Sequence, residues 1–593
     1  MTIFILLANA LLAQNNSVQL SIEYYNKGEY TKAVEYFEEL IKTDKNIPLV
    51  YDKYLESLLK LNEEKEARQL LRKLTKRFPD NVNYQVDEIF LERNFGDQKK
   101  FEEEFDQFID DYTKKNNNLR VVSNILLRKR EYQLAEKFFM VARKNKKNEF
   151  AYVQDLLTVY RSSGNEKGVI RESLNLLKLN PQNINYAQNI LQSFISIENY
   201  QELETELIRL MQKDNQGAFN EMLVWLYIQI KQFDKAFIQA RALDKRFDLM
   251  GSELLNLGQI AFKNKDYETA VKIYEYIIDK YPKSVNYAFA KQKLIETREE
   301  IVKNTFPVDL SQIKTLINEY SDLVEELGLR RNTAEAMRKM ALLYAFYLED
   351  HDTAISILSE AIKIPRTSYS FVGSCKLSLG DIYLLKNEPW ESILLYSQVD
   401  KAYKDQAIGH EAKLKLAKMY YYKGNFELAQ SNLDILKLAT SRVIANDAMD
   451  LSLLIQDNLA LDTSGEALFK FAKIDLLTFQ KKFDAAIYDY QTLLLEFPNH
   501  SLSDEIFWNM AQINIRIGNI SEALDNLDNI LNLYMDDIYG DDALFLKAEL
   551  FEKYLNREEE AMEIYKEILF QFPGSIYNAE ARKRFRSLRG DYQ

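Results

Sequence analysis

Apolar residues along this chain recur around a small side chain at offsets of zero, four and seven. Ala33 is followed by Phe37 and Leu40, Ala67 by Leu71 and Leu74, Ala135 by Phe139 and Ala142, and Ala270 by Tyr274 and Ile277. These offsets fall on one face of a helix, so each stretch predicts an amphipathic helix burying one stripe. The anchor positions Ala33, Ala67, Phe101, Ala135, Val169, Leu203, Ala236 and Ala270 are separated by 34 residues at every step but one, which is 33. A small anchor allows close helix approach, so the repeats centred on Phe101, Val169 and Leu203 are expected to pack more loosely or at shifted angles. Before each such helix comes a turn containing Gly or Asn: "KGEY" at 27–30, "SGNE" at 163–166, "NKDY" at 264–267, "KGNF" at 423–426 and "IGNI" at 517–520. Both residue types tolerate the left-handed backbone that links one helix to the next. Upstream of the turn lies another amphipathic helix, as in "LLNLGQIAF" at 254–262. Pro79, Pro181, Pro282, Pro498 and Pro573 then stop the second helix of their units.

The second half keeps the pattern with a longer step. Ala354, Ser392, Ala429, Ala486, Ala523 and Ala561 are spaced 38, 37, 57, 37 and 38 residues apart, and the step of 57 leaves room for an extra helix at 445–458. Between Ala270 and Ala354 the register fails, and "NTFPVD" at 304–309 predicts a loop between two long helices. A two-helix unit of this length with these turn signals resembles the tetratricopeptide repeat (TPR). The resemblance implies an all-α fold: two TPR superhelical arrays, or α-solenoids, joined by an irregular helical segment. The stretches "DYETAVKIYEYIIDKYPKS" at 266–284 and "EEEAMEIYKEILFQFPGS" at 558–575 match closely, and each precedes a helix with one apolar and one charged face. Such a helix can close a stack. The expected organisation is therefore an N-terminal array over 14–303 capped by 286–302, a connector over 304–334, and a C-terminal array over 335–593 capped by 577–588. "LLLEFPNHSLSDEIFWNMAQ" and "FPGSIYNAEARKRF" also resemble TPR proteins of the bacterial cell envelope, of the outer-membrane assembly lipoprotein and Tol–Pal coordinator types.

Composition narrows the picture further. Only 17 Gly and 9 Pro among 593 residues favour long helices with short connections, and a net charge of −13 argues against nucleic acid as the main partner. Cys375 is the only cysteine, so no intrachain disulfide forms. "MTIFILLANALLAQ" is a short apolar run ending in small residues, too short to span a bilayer, and 1–13 predicts the remnant of a secretory signal. No Lys or Arg precedes Lys27, so the positive start usual for such signals is missing. The expectation is an exported, soluble, periplasmic protein without a transmembrane span. If the run is instead an intact first helix, a cytoplasmic TPR regulator or co-chaperone follows.

No catalytic constellation stands out. His351, His410 and His500 are far apart, and no phosphate-binding Gly loop, paired-His helix or nucleophile elbow occurs. The reading is a non-enzyme with no cofactor and no metal, whose partners are other proteins, with an envelope or membrane-associated complex favoured. In TPR proteins the first helix of each unit lines the concave groove that holds partner segments. On that resemblance, the N-terminal groove carries Asn117, Arg120, Asn124, Gln154, Thr158, Arg161, Asn185, Gln188 and Gln192. Amide side chains both donate and accept, so a ladder of them can pair with a peptide backbone whatever its sequence. The corresponding C-terminal positions are apolar: Leu377, Leu414, Phe471 and Trp508, with Tyr421 and Phe479 further along their helices. That stripe suits an amphipathic helix.

Overall fold

A computed structural model describes residues 17–591 apart from 116–117, 197–198, 214–216, 439–440 and 462–463. The expected signal segment 1–13 lies outside these residues, as does Asn117. All regular secondary structure among the described residues is helical, built as consecutive two-helix hairpins. Packing divides the chain into two compact units, Met1–Leu243 and Asp244–Gln593.

In the first unit the hairpins follow the sequence period. They include Ile47–Lys60 with Glu64–Arg77, Arg120–Arg128 with Tyr132–Asn145, and Val153–Ser163 with Glu166–Leu179, and Ile184–Phe194 and Tyr200–Lys213 follow in the chain. Several turns place a residue in the left-handed region: Gly28, Asn62, Arg130, Gly164 and Lys231 in this unit and Lys265 at the start of the next have φ of 76°, 59°, 60°, 71°, 57° and 65°. In "NKDY" it is Lys265 and not Asn264 that takes the positive φ. The anchor positions are buried throughout, including Phe101 at 2%, Val169 at 0% and Leu203 at 0% exposure. Beside Val169 the close approach passes to Gly168, where a Cβ would fall 2.4 Å from the ring of Tyr160.

The second unit opens with Ser252–Lys263 and Tyr267–Lys280. The helix expected to cap an array, Tyr287–Lys303, is instead the first half of a hairpin with Leu310–Leu327. Buried Glu299 accepts a 2.6 Å hydrogen bond from the Tyr320 hydroxyl across that hairpin. The connector anticipated at 304–334 is thus mostly a regular 18-residue helix preceded by a short loop, and packing continues through it. Hairpins follow from Ala334–Tyr347 to Glu558–Gln571, interrupted by the additional helix Arg442–Leu461, and Asn578–Arg589 packs on Glu558–Gln571 through buried Ala581.

This second unit also folds back on itself. Phe346 meets Phe479 edge-on with ring centroids 6.2 Å apart. Gln480 Nε2 donates to the Leu384 carbonyl at 3.0 Å. The Lys481 amine donates to the Phe346 carbonyl and lies 3.8 Å from the Tyr347 ring centroid. Pro307 sits against Gly518, close enough that a Cβ there would meet it at 3.3 Å. Hairpins separated by more than a hundred residues therefore share a seam.

Candidate partner-binding surfaces

In each unit several neighbouring hairpins touch through their first helices, so side chains on those helices share continuous faces. In the first unit the polar ladder lies on Arg120–Arg128, Val153–Ser163 and Ile184–Phe194. Arg120, Asn124, Gln154, Thr158, Arg161, Asn185 and Gln192 are exposed and Gln188 is half-buried. Arg120 is held by Asp155, Nε to Oδ1 at 2.7 Å, so its charge is already matched within the fold. Gln192 extends the ladder to the next first helix, its Nε2 donating to Gln229 Oε1 at 3.4 Å. Leu156, Leu157, Ile190 and Leu191, on the same helices, are buried. Helical spacing thus separates a packing face from a polar face on each first helix.

The apolar stripe of the second unit is different. Leu377, Leu414, Tyr421 and Phe471 are 2%, 6%, 1% and 1% exposed, and pack between neighbouring helices. Phe471 lies 5.6 Å from the ring of Tyr490. Phe479 is half-buried and engaged with Phe346 across the seam. Trp508 is half-buried and stacked on Tyr539, with centroids 5.1 Å apart and planes 16° apart. As partner-groove residues, Leu414, Tyr421 and Phe471 are therefore corrected: these side chains are consumed by the solenoid's own packing, and Phe479 is partly engaged by the seam. Trp508, like Phe479, keeps part of its surface outside this packing.

The structure brings forward a residue the sequence pattern passed over. Asp475 accepts from the hydroxyls of Tyr421 at 2.8 Å and Tyr490 at 2.7 Å, and Asn509 Nδ2 donates to both Tyr490 and Asp475. Burial pushes its carboxyl up to about 6, against the pull of the two tyrosines and Lys418. Asp381 with Tyr396 repeats the arrangement at 2.7 Å. Both pairs are 15 residues apart, a spacing that could have signalled them.

Cys375 is fully buried, and burial raises its thiol to about 12, far from the thiolate form. Among the described residues no cluster of His, Cys, Asp or Glu is arranged to hold a metal ion, and no helix is long and apolar enough to cross a membrane.

Family models agree with the hairpin reading. Residues 56–81, 254–284 and 542–575 match one tetratricopeptide-repeat model, and residues 17–47 match a second. The chain carries tetratricopeptide repeats. No curated protein matches it. Among solved structures, a tetratricopeptide repeat protein from Parabacteroides merdae is 10% identical, covers 50% of this chain and 99% of its own, and has a TM-score of 0.27. Yeast Tom70 is 15% identical, covering 82% of this chain and 96% of its own at a TM-score of 0.27. Naa15/Naa10 bound to HypK-THB is 14% identical, covering 97% and 96% at 0.28. Likeness this slight carries no weight for what the chain does.

Proposed function

We propose that this chain is a non-catalytic protein-interaction scaffold. Its first unit would bind an extended partner segment along Arg120, Asn124, Gln154, Arg161, Asn185, Gln188 and Gln192. The observation supporting this is the exposed polar ladder on three consecutive first helices, next to fully packed apolar faces. Amides at that repeat can meet backbone N–H and C=O groups of an extended segment, giving affinity without strict sequence choice. The setting we propose is the bacterial cell envelope, in secretion, motility or outer-membrane protein biogenesis, with the chain exported and soluble near a membrane-associated complex. Support comes from the apolar run at 1–13 and the envelope-type phrases near the C-terminus.

A photo-crosslinking side chain placed at Gln154 or Gln188 in cells tests the scaffold role, with exposed Ile238 on a second helix as control. Partner adducts are expected from the ladder positions and not from Ile238. Equal labelling from both would overturn the assignment. N-terminal sequencing of the mature protein tests export, and a retained Met1 would favour the cytoplasmic regulator or co-chaperone.

A further inference from the structure

The helix Arg442–Leu461 is the element that lengthens one repeat step to 57 residues. Ala448, Ser452, Ile455 and Asn458 face the core with at most 2% exposure. Gln430 Nε2 donates to Ser452 Oγ and Ser501 Oγ to Asn458 Oδ1, fastening the helix to hairpins on either side. The opposite face is unpartnered. Met449 and Leu453 lie one turn apart there, 46% and 43% exposed. Asp447, Asp450 and Asp457 border them at spacings of three and seven, all exposed and none ion-paired among the described residues. The result is an apolar stripe with an acidic margin.

A second acidic group lies near Asp450. Asp450 lies within electrostatic reach of the Tyr539 hydroxyl, together with Asp504, Glu505 and Asp542. Tyr539 stacks on Trp508. One carboxyl oxygen of Glu505 is buried without a hydrogen-bond partner. Burial, with the neighbouring Asp504 and more distantly Asp537, pushes Glu505 up to about 9, so it holds a proton at neutral pH. No lysine or arginine of the described residues forms an ion pair with any of these carboxylates. An aromatic and apolar floor bordered by the unpaired carboxylates of Asp450 and Asp457 is complementary to a positively charged amphipathic segment.

We propose that Met449, Leu453 and Trp508, bordered by Asp450, Asp457 and Glu505, dock an amphipathic helix of a partner protein that carries lysine or arginine along its margin. The apolar face of that helix would cover Met449 and Leu453, and one of its cations would approach Glu505 over the Trp508–Tyr539 stack. This site lies in the second unit and does not depend on the polar ladder of the first. A cation arriving there favours the ionised carboxylate, so docking releases a proton from Glu505.

The test uses the full chain and a fluorescein-labelled leucine/lysine amphipathic helix, with a scrambled peptide of equal charge as reference. The helix is expected to bind about tenfold more tightly than the scrambled form. Met449→Ser with Leu453→Ser should remove that preference, and Asp450→Asn with Asp457→Asn should weaken binding about tenfold. The exposed control Tyr488→Ser should change neither. Calorimetry in two buffers of different ionisation heat should show proton release with the native chain and none with Glu505→Gln. Equal binding of both peptides, or insensitivity to Met449 and Leu453, overturns the proposal. Self-association of the chain that Met449→Ser with Leu453→Ser abolishes would also overturn it, by making the occupant a second copy. Absence of proton release overturns the placing of a cation beside Glu505.

Discussion

Asp475 and Glu505 lie on consecutive first helices, yet burial acts on them against different backgrounds. At Asp475 burial is opposed by the hydroxyls of Tyr490 and Tyr421 and by Lys418, so its carboxyl rises only to about 6. Glu505 has Asp504 and Asp537 beside it and rises to about 9 from an ordinary value of 4.5. Between those two values the folded chain holds a proton that the unfolded chain has lost. Stability is therefore full below the unfolded value and declines as pH climbs towards 9. Thermal melts should show the midpoint falling by a few degrees between about pH 5 and pH 9, with a flatter profile for Glu505→Gln. An unchanged slope in that variant would mean other groups set the dependence.

The hairpin turn is where the period of 34 becomes backbone geometry. Many of the turns hold one residue at positive φ, and the chain places glycine there at 28 and 164 but arginine at 130 and lysine at 231 and 265. A side chain in that region costs about 1 kcal/mol against glycine. Arg130→Gly should accordingly stabilise the fold by about 1 kcal/mol and Gly164→Ala should destabilise it by about as much, read from chemical denaturation. Gly164 has open space around it, so the second effect is conformational and not a clash. Equal stability of Gly164→Ala and the native chain would show that the turn tolerates a Cβ.

Over the whole of the second unit, the seam decides which aromatic side chains remain available. Phe479 contacts Phe346, 133 positions earlier, while its neighbours Gln480 and Lys481 bind carbonyls of Leu384 and Phe346. Burial and the nearby cations Arg516 and Lys303 lower Lys481 to about 8, with Glu349 opposing them. Phe479→Ala should thus act on stability, costing about 2 kcal/mol, and leave binding of the amphipathic peptide at Met449 and Leu453 unchanged. Loss of peptide binding without loss of stability would return Phe479 to the partner surface.

The sequence by itself determined the repeat, the hairpins, their turns and the buried anchor positions, because a helical face is fixed by spacing over a few residues. The polar ladder was legible for the same reason: Asn124, Gln154 and Asn185 each sit on the face opposite to a local apolar stripe. Tertiary structure decided the rest. Tyr287–Lys303 is a cap or an inner helix according to whether another helix covers it, and Leu310–Leu327 does. Leu414 and Phe471 line a groove or fill a core according to what lies across from them, and Phe479 is covered by a side chain more than a hundred residues away. An apolar side chain looks the same in sequence whether it awaits a partner or has found one, because burial depends on contacts that local spacing does not encode.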